Sequence, residues 1–255
     1  FVESFTFPGN KRRIFVALFG ITGVLTTIWY TAFFSGLSFL RGPMRVDEGV
    51  VEWMLLVAGL IAMSFYLVVG RWSDRIGRKA PIILGGGLAL ILLFPVFWGM
   101  GQLANPGLAE AAERTPVVVT GQDCTPDPFA ELFGREQSDC GKLLDTLISS
   151  GVRYDLRDGE RPGVTVGGEA VPLPDAWFDD GAALREGVRA ALTQRGFDFS
   201  VQTPPLGNII GIVALLLVMG MLSALTYRSV AALLSEMFPP RIRYSSMSIP
   251  YHIGA

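Results

Sequence analysis

The chain has 255 residues, half of them hydrophobic and only 17% charged, with a mean hydropathy of +0.43. Ordinary soluble domains carry about 25% charged residues, so this chain is short of charge. Its apolar content excludes intrinsic disorder, and 30 Gly and 2 Cys exclude a collagen-like chain and a disulfide scaffold. The net charge of −2 hides an asymmetry. Residues 104–206 carry 17 acids and 9 bases, a balance of −8, while the remainder carries 6 acids and 12 bases, a balance of +6. The basic part is also the apolar part, so its cations flank membrane spans and no nucleic-acid partner is expected.

Four stretches lack any charged side chain and are long enough to cross roughly 30 Å of hydrocarbon at about 1.5 Å per residue. They are Ile14–Leu40, Trp53–Gly70, Ala80–Ala109 and Phe199–Tyr227. The fourth can run on through Arg228 to Phe238, where Pro239-Pro240 must stop it. A fifth begins near Tyr244 and ends with the chain at Ala255. The first residue is Phe1 rather than Met, so both ends read as cuts and the chain as a fragment. The run after Lys11-Arg12-Arg13 is too long for the apolar region of a secretory signal and lacks a small-residue cleavage site.

Lys and Arg in the short connections predict orientation. Lys11, Arg12 and Arg13 precede the first span, Arg71, Arg75, Arg78 and Lys79 join the second to the third, and Arg241 and Arg243 join the fourth to the fifth. Alternation puts these nine bases on one side, which the positive-inside rule makes cytoplasmic. The acidic insert then lies on the extracytoplasmic side. Three segments follow: 1–103 with the first three spans, 104–206 as the insert, and 207–255 with the fourth span and the start of a fifth.

The insert reads as a small α+β domain. Asn105-Pro106 starts a helix, and Pro116–Thr120 is a short β-branched run. Val164–Val166 and Glu169–Val171 flank Gly167-Gly168, a two-residue hairpin turn. Asp179 or Asp180 caps a helix with Leu184, Val188 and Leu192 on one face, ended by Gly196. Cys124 and Cys140, the only cysteines, both fall here. In an oxidising compartment they predict a disulfide worth about 3 kcal/mol. A metal would need Cys/His partners, and the sole histidine, His252, lies in a span. The acidic surface is read as a solvated face rather than a cation site.

Signatures of soluble enzymes are missing: no HExxH, Gly-x-Ser-x-Gly, Gly-x-x-x-x-Gly-Lys or Cys-x-x-Cys occurs. No enzymatic activity, cofactor or metal is therefore expected. Gly85-Gly86-Gly87 lies inside an apolar span, where close helix packing explains it better than phosphate binding.

Two segments carry a family resemblance. The basic loop Gly70-Arg71-Trp72-Ser73-Asp74-Arg75-Ile76-Gly77-Arg78-Lys79 resembles the Gly-x-x-x-Asp-Arg-x-Gly-Arg-Lys/Arg signature of the major facilitator superfamily. Glu236-Met237-Phe238-Pro239-Pro240-Arg241-Ile242-Arg243-Tyr244, with the run through Gly254, is similar to the segment joining the tenth and eleventh helices in the metabolite:proton symporter branch. The acidic insert with two cysteines also resembles one in a bacterial subgroup of that branch.

The resemblance implies an α-helical membrane protein of the major facilitator type. The chain would supply helices seven to ten and the start of eleven, with an α+β extracytoplasmic insert, and lack the amino-terminal six-helix half. It implies a multi-pass protein of a bacterial inner membrane that moves a small polar or anionic metabolite with protons by alternating access. A six-helix half is two inverted three-helix repeats, and the insert falls between them. The rival reading is a membrane-anchored binding or sensor module built on residues 104–206, or a structural membrane subunit.

Candidate site residues follow. Gly70, Asp74, Arg75, Gly77, Arg78, Lys79, Glu236, Arg241 and Arg243 suit a cytoplasmic latch whose ion pairs exist in one conformation and break in another. Their bland alternative is that the arginines only fix topology; the resemblance favours the latch. The family's cavity-lining helices implicate Trp29, Tyr30 and Phe33, as substrate contacts or as lipid-facing and packing aromatics. Tyr227 and Arg228 lie on the fourth span. A cation there must face a cavity, a partner or the interface, and a cavity role for an anionic substrate is favoured. His252 is a candidate proton relay or a hydrogen-bonded packing residue. The chain departs from the subgroup at Ala32-Phe33-Phe34-Ser35 and Tyr227-Arg228-Ser229, so substrate identity does not carry over.

Overall fold

The computed structural model describes residues 2–127, 129, 133 and 135–254, with the backbone alone at Val2. The chain is mostly helical, with a small mixed sheet, and divides into two compact units. One comprises Phe1–Leu37, Gly49–Met100 and Leu206–Ala255; the other comprises Ser38–Glu48 and Gly101–Pro205.

The first unit holds most of four helices long and apolar enough to cross a membrane: Asn10–Arg41, Glu48–Ile76, Lys79–Ala104 and Leu206–Met237. Large apolar side chains remain uncovered along them, with Leu90 86% and Phe94 88% exposed. Water penalises such a surface, whereas hydrocarbon does not. The fourth helix continues past Arg228 and stops before Pro239-Pro240, as the sequence requires. Arg243–Gly254 then forms a shorter helix containing Pro250.

The first long helix is not uniform. It widens into π turns over Val16–Thr22 and Thr31–Ser35, which apolar patterning does not reveal. A π turn displaces backbone carbonyls from their usual amide partners. Thr22 compensates, its buried hydroxyl lying 2.8 Å from both Ala17 O and Leu18 O. The third long helix carries Pro95 in its interior, where a donor to the preceding turn is missing.

Ile14, Ala17, Ile21 and Leu25 of the first long helix pack with Ile82 of the third and with Val230, Leu234 and Phe238 around the end of the fourth. Gly85 lets the third and fourth helices approach: a Cβ there would lie 2.9 Å from both Leu225 Cβ and Thr226 Cγ2. Buried Asn10 donates to Ser4 O (2.7 Å) and Ser246 Oγ (2.9 Å), tying the chain start to the Arg243–Gly254 helix.

The second unit holds a four-stranded sheet in the order β2-β1-β3-β4: β1 Val117–Gly121, β2 Asp155–Asp158, β3 Gly163–Val166 and β4 Glu169–Val171. β1 pairs parallel with β2 and antiparallel with β3, and β3 pairs antiparallel with β4. Register sets Val117 opposite Val166 and Val119 opposite Val164, all four buried on one face. Their core partners include Leu143, Leu144 and Leu147 from the Asp139–Ser149 helix, and Leu184, Val188 and Leu192 from the Gly181–Thr193 helix.

The expected hairpin is present, with Gly167 and Gly168 at φ 63° and 87°, as a two-residue turn demands. Asn105 caps the Pro106–Arg114 helix through Leu108 N, and Asp180 caps Gly181–Thr193 through Ala182 N and Ala183 N. The Asp139–Ser149 helix and β2 are additions to the sequence reading. Parallel strands need a crossover between them, and this helix provides it. Ser138 starts it, its hydroxyl accepting from Gly141 N at 3.0 Å. Cys124 and Cys140 form a disulfide that ties the loop after β1 to the first turn of this helix.

Candidate functional site

The basic loop lies where the second long helix ends. Gly77 follows that helix at φ +93°, a left-handed position that glycine accepts without strain. The chain reverses there, and the third helix begins at Lys79. Arg78, between them, forms an ion pair with Asp74 one turn back. Its Nε also lies 3.5 Å from Glu236 Oε1, near the end of the fourth helix. One guanidinium thus brings together two segments 158 residues apart. The hydrogen bond to Asp74, followed by the charges of Asp74 and Glu236, holds Arg78 above its ordinary range, so it stays cationic. Asp74 and Glu236 are 60% and 61% exposed, so water screens both pairs and makes them easy to break.

Beneath this cluster is a buried polar contact. Ser229 Oγ donates to Ser73 Oγ at 3.1 Å, and Arg78 Nη1 reaches the same Ser73 oxygen at 3.5 Å. Gly70, the first residue of the signature, underlies Arg228: a Cβ there would stand 2.8 Å from Arg228 Nε. The Arg228 guanidinium therefore lies against the second helix one to two turns before Asp74.

Among the described residues, the remaining signature cations form no ion pair with Asp74 or Glu236. Arg75 and Lys79 are exposed. Arg241 Nε pairs with Glu3 at 2.8 Å, and Arg243 Nε donates to Phe238 O at 3.1 Å.

A second polar neighbourhood joins three helices of the same unit. Tyr227 OH lies 3.4 Å from Tyr251 OH, and the Tyr227 ring is 6.2 Å from that of Tyr66. Tyr66 OH bonds Ser223 Oγ at 2.9 Å, and His252 meets the Tyr251 ring edge-on at 5.7 Å. Trp29, Tyr30 and Phe33 instead cluster with Phe34 on the first long helix, with Trp29 5.2–5.6 Å from the other three rings.

Sequence reasoning did not single out Ser73, Ser229, Tyr66 or Ser223. Ser223 and Tyr66, polar residues inside charge-free apolar runs, carry the one signal, because a buried hydroxyl needs a partner; Ser73 and Ser229 sit beside charged residues and carry none. Among the described residues no group of three or more His, Cys, Asp or Glu side chains is placed to hold a metal ion.

The chain is similar to the alpha-ketoglutarate permease of Escherichia coli (strain K12), 24% identical over 97 residues. That relative is a transport protein. The match takes in 38% of this chain and 22% of the permease, so the chain spans about a fifth of that protein's length. No family model and no solved structure matches the chain.

Proposed function

We propose that the chain is part of a secondary active transporter of the major facilitator type, moving a small polar or anionic metabolite with protons by alternating access. It would be the carboxy-terminal half of a bacterial inner-membrane protein, paired with an amino-terminal six-helix half and carrying its α+β insert outside. The observation that carries this reading is Arg78 bridging Asp74 and Glu236. A screened, three-membered ion cluster at the ends of two long helices is an easily reversed fastening, as two alternating conformations require. Ser73 with Ser229, and Gly70 with Arg228, supply its packed base. Gly77 sets the turn, while Arg75, Lys79, Arg241 and Arg243 contribute to the cytoplasmic positive charge.

Similarity to a permease named for alpha-ketoglutarate supports a small anion as cargo. Tyr227 and Arg228 are the proposed substrate-path residues on the fourth helix, with Trp29, Tyr30 and Phe33 on the first. His252 is the proposed proton carrier, beside the ring of Tyr251, whose hydroxyl lies 3.4 Å from that of Tyr227.

The test is uptake by the full-length protein in proteoliposomes under an imposed proton gradient, with a panel of labelled small carboxylates. Asp74→Asn and Glu236→Gln are expected to cut the uptake rate about tenfold or more, with normal membrane abundance. Gradient-independent, unsaturable uptake by the parent would sink the transporter reading and leave the insert as the working part. Parent-like kinetics in both variants would reduce Asp74 and Glu236 to topology markers.

A further inference from the structure

We infer that the second unit carries a binding site for a phosphate-type oxyanion, formed by Arg45 and Arg189, both of which pack on Phe199. Arg45 Cζ lies 5.5 Å from the Phe199 ring centroid and Arg189 Cζ lies 5.6 Å from it. Two guanidiniums thus share one aromatic ring in a domain whose overall charge is strongly negative. Seventeen acids lie within residues 104–206, yet among the described residues neither arginine has a carboxylate within ion-pairing distance. The nearby Asp198 is already engaged, accepting from Ser200 N at 2.8 Å and Gln202 Nε2 at 3.3 Å.

Three features set this pair apart from ordinary surface arginines. Arg45 occupies the left-handed region at φ 55°, a position that a non-glycine residue holds only when its surroundings enforce it. Flanking hydrogen bonds do so: Gln202 N donates to Arg45 O at 2.8 Å, and Asp47 N donates to Gln202 O at 2.9 Å. Arg45 Nε is buried without an acceptor, which leaves a charged donor unsatisfied. Burial, then the like charge of Arg189, disfavours the Arg45 cation.

An anion that meets both guanidiniums cancels the repulsion between them. A tetrahedral oxyanion fits better than a lone carboxylate, because its several oxygens can accept from two separate guanidinium forks at once. Phosphate of this kind comes either from a lipid headgroup or from solution. The first source is within reach of the chain, since Arg45 precedes the second long helix by three residues and Phe199 precedes the fourth by seven. This inference is independent of the transport reading.

The test uses the full-length protein purified in neutral detergent. Native mass spectrometry counts retained phospholipid, and thermal unfolding of delipidated protein is followed in inorganic phosphate against chloride at equal ionic strength. Arg45→Gln/Arg189→Gln is compared with the parent, and Arg189→Gln alone serves if the double variant folds poorly, because Arg189 is exposed on its helix. Each lost guanidinium should weaken the anion about tenfold. Phospholipid retained by the parent and lost in the variant assigns the site to a headgroup. A phosphate-specific thermal shift confined to the parent assigns it to the free anion. Equal lipid retention and equal shifts in parent and variants would overturn the proposal, leaving two arginines that merely pack on Phe199.

Discussion

Replacing both Cys124 and Cys140 by Ala would test how far the insert depends on its disulfide. The bond closes a loop of 16 residues, and chain-entropy reasoning gives about 3 kcal/mol for a loop of that length. The native side offers little to offset this, since the disulfide packs directly on Gly121. A Cβ there would lie 2.7 Å from Cys140 Sγ and 2.9 Å from Cys124 Sγ. β1, which ends at Gly121, is paired on both sides, so its amides exchange with solvent only when the sheet opens. A loss of about 3 kcal/mol is close to two decades in the opening equilibrium. Hydrogen–deuterium exchange read by mass spectrometry on peptides covering Val117–Gly121 should therefore accelerate about a hundredfold in the double variant of the full-length protein. Exchange in the first and fourth long helices should not change. Equal β1 exchange in parent and variant would refute the energetic argument. Two free thiols in protein isolated without reductant would refute the bond itself.

Two further predictions concern the helical unit. Gly85→Ala forces a methyl against Leu225 and Thr226, an overpacking cost of about 1–3 kcal/mol that outweighs roughly 1 kcal/mol of helix propensity, whereas Gly87→Ala meets nothing within 4 Å. Thermal unfolding in detergent should show the first variant less stable and the second unchanged or slightly more stable; identical midpoints would disprove the proposed close packing. For topology, a cysteine introduced at Arg75 should react with an impermeant maleimide only from the cytoplasmic side, and one at Gly159 only from outside. Labelling in the opposite sense would end the positive-inside argument.

Much of this architecture is legible because the physics that sets it is local. Charge-free runs mark the four long helices, Pro239-Pro240 ends the fourth, Gly167-Gly168 makes the hairpin, and Asn105 and Asp180 cap their helices. The Asp139–Ser149 helix is less legible, because its Leu143, Leu144 and Leu147 face matters only once a sheet is there to bury it. β2 is less legible still, since all four of its residues are exposed and so lack the alternation that marks a half-buried strand. At the candidate site, the signature identifies Asp74 and Arg78 by spacing alone. Nothing local indicates that Arg78 meets Glu236, that Arg241 pairs with Glu3, or that Ser73 meets Ser229. Those partners are distant in sequence, and an isolated serine or glutamate is compatible with many neighbours.

The wide turns in the first long helix affect how that helix can tolerate changes in length. In a regular α-helix an inserted or deleted residue rotates everything beyond it by about 100°, which would carry Trp29 and its aromatic neighbours to another face. A π turn already holds a surplus residue, so a deletion within Val16–Thr22 can be absorbed by tightening that segment to α geometry. Thr22 makes the wide form tolerable inside hydrocarbon by bonding the displaced carbonyls. The helix therefore carries its own slack at two points, Val16–Thr22 before the Trp29 cluster and Thr31–Ser35 within it. A single-residue deletion at the first can be accommodated without turning the aromatic face away from its neighbours.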